Sequence, residues 1–295
     1  MAFNRWGHRA AHSLPYLLFK QYNQELSDFI WANEAAYKYT YKWLGKHSAK
    51  WEDSARKHLT FPKHVWNFDS LKDWSDSYND TLNWFYLNAV MAMSANLETY
   101  IDAIVALAIE SDPGVLLMSS KSIDGTVLLK QNKQLRDVYQ ERAANCTHGL
   151  WPARIKAFKE IFGGYPLILD AKLSMLETMR KLRNNIGHAF GRDIEDSRNF
   201  KRRTKLPQER ITLKRVKNML DCAFQVATEI DKYLMDNHIG EYQSVLALHE
   251  EQPYLNKFLT TKEKARAFRQ RFNKDRSMCI SKENSIALIE YYKSL

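Results

Sequence analysis

Apolar residues recur along most of this chain at intervals of three and four, the period of an amphipathic helix. The stretch from about 20 to 50 carries Phe29, Trp31, Tyr37, Tyr39, Tyr41 and Trp43. Several of these lie two apart, so the helix they predict has a broad apolar face that packs on two sides. Residues 51–80 are polar around Pro62 and read as a loop or short helices. From about 81 to 111 a long central helix is predicted, with Leu97, Ile101, Ile104, Val105 and Ala108 in one stripe. Ser111-Asp112-Pro113-Gly114 ends it, because proline and the residue before it resist helical continuation. Thr81 to Leu97 has no formal charge, but Asn83, Asn88, Ser94 and Asn96 interrupt it and Glu98 and Asp102 follow. That pattern favours a buried helix over a membrane span.

The second half continues in the same way. Residues 112–131 read as a structured connection between helices, with a hairpin turn at Asp124-Gly125 as the alternative. Shorter helices are expected near 133–145 and 152–162, followed by a break at Gly163-Gly164-Tyr165-Pro166. The next helix is predicted from Asp170, as N-cap, to Phe190. Its stripe is Leu173, Leu176, Met179, Ile186 and Phe190, and Gly191 stops it. After a charged loop, a helix over about 211–236 carries Val216, Met219, Leu220, Phe224, Val226, Ile230 and Leu234. Residues 241–295 read as further helices. No internal repeat or low-complexity tract is present.

Composition sharpens the fold class. Only 10 Gly and 7 Pro occur, too few for the tight turns of an all-β or doubly wound chain, so an all-α fold is expected. A 45% hydrophobic content excludes general disorder. Cys146, Cys222 and Cys279 are far apart, and Cys146 with His148 is the one nearby Cys/His pair. No local spacing assembles a zinc site, so neither metal nor cofactor is expected. The thiols fit a reducing cytoplasm. The apolar run Leu14 to Phe19 is broken by Pro15 and falls short of a signal core, so the expected location is cytoplasmic.

Charge points towards a partner. The net charge is +10, and it is uneven. Arg198 to Lys217 carries a net +8 and Lys257 to Arg276 a net +6, leaving the remainder mildly acidic. Each window reads either as a solvated helix face or as a surface for nucleic acid. Walker, dinucleotide-binding, zincin and nucleophile-elbow motifs are all absent, which excludes the common NTPases, dehydrogenases, zinc proteases and α/β-hydrolases.

One stretch carries chemistry: Arg180-Lys181-Leu182-Arg183-Asn184-Asn185-Ile186-Gly187-His188-Ala189-Phe190-Gly191-Arg192. The apolar stripe accounts for Leu182, Ile186 and Phe190. It does not account for Asn184, Asn185 and His188. RNA carries its own nucleophile in the 2′-OH. A protein that cuts it needs a group exchanging protons near neutral pH, which histidine provides. It also needs fixed positive charge where the phosphate gathers negative charge, which arginine provides bidentately. Arg183 and His188 are five apart, about 140° around an ideal helix, so one helix does not aim both the same way. Either Gly187 allows a local distortion, or the two converge on a ligand from opposite sides of a groove.

Arg183, Asn184 and His188 resemble the signature of the HEPN superfamily: arginine, four to six residues, then histidine, with a polar residue after the arginine. The resemblance covers about residues 81–236. It implies a HEPN-type helical bundle over 81–236, an N-terminal helical extension over 1–80 and a basic C-terminal helical extension over 237–295. It further implies a metal-independent endoribonuclease acting on single-stranded RNA, a toxin or antiviral-defence effector. The resemblance implies a homodimer with a composite cleft and, in that setting, an antitoxin or regulatory partner. On this reading His188 is the acid/base, Arg183 stabilises the phosphate and Asn184 orients. Lys181, Arg192, Lys201, Arg202 and Arg203 are candidate RNA contacts, and Asn96, Glu98 and Asp102 are candidate supporting residues from the preceding helix. Some family members carry tyrosine where this chain has Phe190. The basic window after Arg192 is expected to line the approach to the site. The competing reading is a non-catalytic helical module that binds RNA, DNA or protein through the basic last third. A membrane-surface protein is the weakest alternative.

Overall fold

A computed structural model describes residues 3–62, 68–274 and 279–295, and among these the chain is all-α. Among the described residues the only extended pairing is an isolated bridge between Ser54 and Ser70. Asp275 and Arg276, which close the second basic window, lie outside the described residues.

The chain forms two compact units, each assembled from separate stretches. The first comprises Met1–Gln21, Asn96–Ser174 and Phe224–Leu295, and the second Tyr22–Ala95 and Met175–Ala223. Four long helices, Leu14–Lys46, Leu71–Ser111, Leu173–Ala189 and Leu213–Leu234, contribute residues to both.

The first unit has its core where the central stripe was expected. Leu97, Ile101, Ile104, Val105 and Ala108 are all buried, with Val226, Ile230 and Leu234. Tyr16 and Phe19 pack their rings against Tyr100, whose hydroxyl donates to the Ala227 carbonyl at 2.9 Å. The N-terminal strap is held by polar groups. Buried Arg5 donates to the Ile239 carbonyl at 2.8 Å and the Ser111 hydroxyl at 2.8 Å, and pairs with Asp124 at 3.1 Å. Such a charge is tolerated inside because each donor finds an acceptor. Residues 112–131 form two short helices, Pro113–Leu117 and Gly125–Lys130, rather than a hairpin. Asp124 caps the second by accepting from the Thr126 N–H at 2.9 Å. The last two helices, Thr261–Phe272 and Lys282–Ser294, pack together, the former opened by a Thr260/Glu263 capping box.

Three expectations are corrected, two in the second unit and one, at Asp170, in the first. The long helix begins at Leu71, ten residues earlier than its charge-free stretch suggested. Trp74 and Tyr78, one turn apart, give this polar segment its packing face, against Tyr41 and Tyr37. The first helix packs along one seam, Ile30, Glu34, Tyr37, Tyr41 and Leu44, not on two sides. Phe29 and Trp31 lie about 100° to either side of the seam residue Ile30, and Tyr39 about 200° from Tyr37 and from Tyr41, so all three are exposed. Glu34 on that seam accepts from the buried Tyr86 hydroxyl. Finally, Asp170 is no N-cap. It sits in a separate short helix, Ile168–Ala171, and accepts from the Tyr165 hydroxyl at 2.9 Å, and the motif helix starts at Leu173.

One helix among the described residues, Leu71–Ser111, is long and apolar enough to cross a membrane by length and composition. Half of its most apolar window is buried inside the protein.

Candidate functional site

The motif lies on the helix Leu173–Ala189, in the part that belongs to the second unit. Leu176, Met179, Leu182 and Ile186 are buried and seat the helix, which turns the polar residues outward. The helix runs unbroken through Gly187, so a local distortion there does not bring Arg183 and His188 together. Lys181, Asn184 and His188, at spacings of three and four, share one face. Arg183 is off that face, but its guanidinium Nη1 donates to Asn184 Oδ1 at 3.2 Å. Asn184 thereby ties the arginine to the face carrying the histidine. His188 and Lys181 are exposed, while Arg183 and Asn184 are partly buried. A polar face of amide, cation and open imidazole is suited to hold a phosphate and move a proton.

The end of the helix departs from expectation. Phe190 was the last member of the buried stripe, yet it is 57% exposed. The cause is backbone geometry: Phe190 and Gly191 both adopt positive φ, 54° and 75°, which swings the phenyl ring out of helical register. The Gly191 N–H donates to the Asn185 carbonyl at 3.0 Å, closing the helix as a left-handed cap. Left-handed backbone is uncommon for a bulky residue and persists only where its surroundings hold it. Here the Phe190 carbonyl accepts from Gln208 at 3.0 Å and from Arg192 at 3.3 Å.

The basic loop returns to this turn. Arg192 Nε donates to the Leu206 carbonyl at 2.9 Å, and the Glu209 N–H donates to the Gly191 carbonyl at 2.8 Å. Asn83 of the long helix clamps the same segment, donating to the Glu209 carbonyl at 2.9 Å and accepting from the Ile211 N–H at 3.0 Å. Residues 206–209 therefore lie against the C-terminal end of the motif helix. Arg192, a candidate RNA contact, spends hydrogen bonds on holding that turn. Lys201, Arg202 and Arg203 are exposed, with Arg202 3.5 Å from Asp196. Arg210 and Arg202 face Asp80 and Asp196, acids outside the window, so the +8 is partly neutralised locally; Arg215 lies 3.6 Å from Glu209, already counted in that net, and Lys217 sits over the Trp31 ring. The second basic window belongs to the first unit, where Arg271 pairs with Glu251 at 2.7 Å.

Asn96, Glu98 and Asp102 also belong to the first unit and have partners within it. Asn96 donates to the Phe19 carbonyl at 3.3 Å, and Glu98 forms an ion pair with buried Arg154 at 2.9 Å. Burial pushes the Asp102 carboxyl above its ordinary range, against the opposing pull of His148. Among the described residues no group of three or more His, Cys, Asp or Glu side chains could hold a metal ion. The residues that spacing alone missed are Trp84, Lys205 and Gln208, which gather at the Phe190 turn. Their one sequence signal was an aromatic next to a stop glycine directly after the motif.

The chain matches no protein-family model, no curated protein and no solved structure.

Proposed function

We propose that this chain is a metal-independent endoribonuclease of the HEPN type that cuts single-stranded RNA by attack of the 2′-OH. The observation that carries the reading is the exposed His188 on the same helix face as Asn184, to which Arg183 is hydrogen-bonded. In the reaction the 2′-oxygen attacks phosphorus as its proton passes to an imidazole. The P–O5′ bond breaks, the leaving oxygen takes a proton, and a 2′,3′-cyclic phosphate remains. Arg183 neutralises the charge on the pentacoordinate phosphate, and Asn184 fixes the guanidinium. One imidazole cannot be base and acid at once in a single step. A symmetric dimer removes this difficulty, because a second copy supplies a second His188 across a shared cleft. Lys181 and the exposed Lys201, Arg202 and Arg203 supply backbone affinity for RNA. The resemblance alone carries the wider role: a cytoplasmic toxin or antiviral effector with an antitoxin or regulatory partner.

The exposed Lys201-Arg202-Arg203 loop favours one other reading, a non-catalytic binding module. It gives salt-sensitive binding, abolished by charge reversal at these three residues, with no cutting.

The test is cleavage of single-stranded RNA in EDTA by the full chain. The expected products carry cyclic-phosphate or 3′-phosphate ends. His188→Ala, at an exposed position, is expected to keep its circular dichroism and lose a hundredfold or more, roughly, in rate. A His188→Ala protein that cuts at the unaltered rate overturns the assignment.

A further inference from the structure

The Phe190 turn makes a cavity of its own, all of it within the second unit. Trp84, Phe190, Arg192, Lys205 and Gln208 line a volume of about 290 Å³, together with Asp80. Both aromatic rings are exposed, Trp84 at 41% and Phe190 at 57%. Their centroids are 6.3 Å apart and their planes tilted by 36°. Rings so placed form an apolar corner whose exposed ring surface offers a flat group a place to stack. Burying two large rings on this surface would have stabilised the fold. The chain instead holds Phe190 in left-handed backbone, with its carbonyl fixed by Arg192 and Gln208, so that the ring points outward. Cations flank the corner. The Arg192 guanidinium lies 5.3 Å from the Phe190 centroid, and Lys205 is exposed at the rim.

The geometry points to a subsite for one unpaired nucleotide of single-stranded RNA: the base stacks in the Trp84/Phe190 corner and its phosphate lies by Lys205. An aromatic shelf beside a cation is how proteins bind single strands without reading sequence, since every base has a π-face. The volume suits a single base-sized group and is at the small end of ligand pockets. Phe190 directly follows the helix that carries the motif, so the subsite adjoins the end of that helix. The inference rests on the nuclease reading for its substrate, and its test separates the two.

The probe is a single-stranded oligoribonucleotide carrying 5-iodouridine, irradiated with the full-length His188→Ala protein so that no cutting intervenes. Crosslinked peptides are located by mass spectrometry, and affinity is measured alongside. Crosslinks at Trp84 or Phe190 are expected. Trp84→Ala should weaken binding about tenfold or more, and Trp84→Phe should restore most of it. Crosslinks at the corner without any cutting by the unaltered protein sustain the subsite and sink the nuclease reading. Cutting that proceeds in Trp84→Ala with unchanged KM, and no crosslink at the corner, overturns the subsite and leaves the nuclease reading standing. If Trp84→Ala instead loses self-association in sedimentation and binds RNA normally, the corner is a protein contact and the proposal is overturned.

Discussion

Two buried aspartates in the first unit respond to their surroundings in opposite ways. Burial pushes the Asp112 carboxyl up, but hydrogen bonds from His238 at 3.0 Å, Ser120 at 2.6 Å and the Lys121 N–H at 2.6 Å outweigh it and hold it below the ordinary range. Asp231 is pushed above that range by burial, which bonds from Ser13 and His12 only partly offset. The signs follow by linkage. Asp112 contributes stability that is present above its unfolded value of about 4 and is lost as pH falls through the lower folded value. The Asp231 contribution is full below about 4 and is lost as pH rises through the raised folded value. In thermal melts from pH 7 to 2.5, Asp112→Asn should therefore flatten the acid-side loss of stability, whereas Asp231→Asn should not. Identical pH slopes for the two variants would contradict these environments. Neither aspartate was legible in the sequence, because a carboxylate shows its partners only after distant segments meet. Arg183, Asn184 and His188 were legible, because their spacing is read on a single helix.

At the scale of elements, periodicity placed every long helix and misjudged where three of them begin or end, the first starting at Leu14 and not near 20. Leu71–Asp80 is polar, and the reason it is helical lies in another helix, where Tyr37 and Tyr41 receive Trp74 and Tyr78. At the motif helix, Gly191 announces a stop, but a left-handed Phe190 before it cannot be read from a stripe whose spacing includes it. The turn itself makes a prediction. Gly191 has φ of 75°, and a Cβ there would lie 2.8 Å from Leu87 Cδ1. Gly191→Ala should cost about 1–2 kcal/mol for the left-handed backbone, measurable by urea unfolding. A variant as stable as the unaltered chain would show that the cap does not hold the conformation described.

Across the molecule, the +10 charge is not a single basic third. Its two dense windows fall in different units, and several of their cations are already paired with Asp80, Asp196, Glu209 and Glu251. Lys181 on the motif helix, and Arg198, Lys201, Arg203, Lys205 and Lys214 of the first window, are exposed. The interleaving of the units was not legible at all, since the same four helices serve both and no change of composition marks a boundary. The composite dimer site proposed above has a consequence for mixtures. Equal amounts of unaltered and His188→Ala chains, allowed to exchange, leave about a quarter of the dimers with two intact copies. Cleavage should fall to about that fraction of the all-intact rate at equal total protein. A fall to about one half would mean that each copy works alone.

The central claim is that RNA supplies the nucleophile and this chain supplies only proton transfer and charge. It is tested most directly by one pair of substrates, an oligoribonucleotide and its twin with a single 2′-deoxy sugar at the mapped cut, given to the purified full-length protein in EDTA. The account predicts cutting of the first, with a cyclic phosphate end, and no cutting of the second at that bond. Equal cutting of both, or of neither, would contradict it.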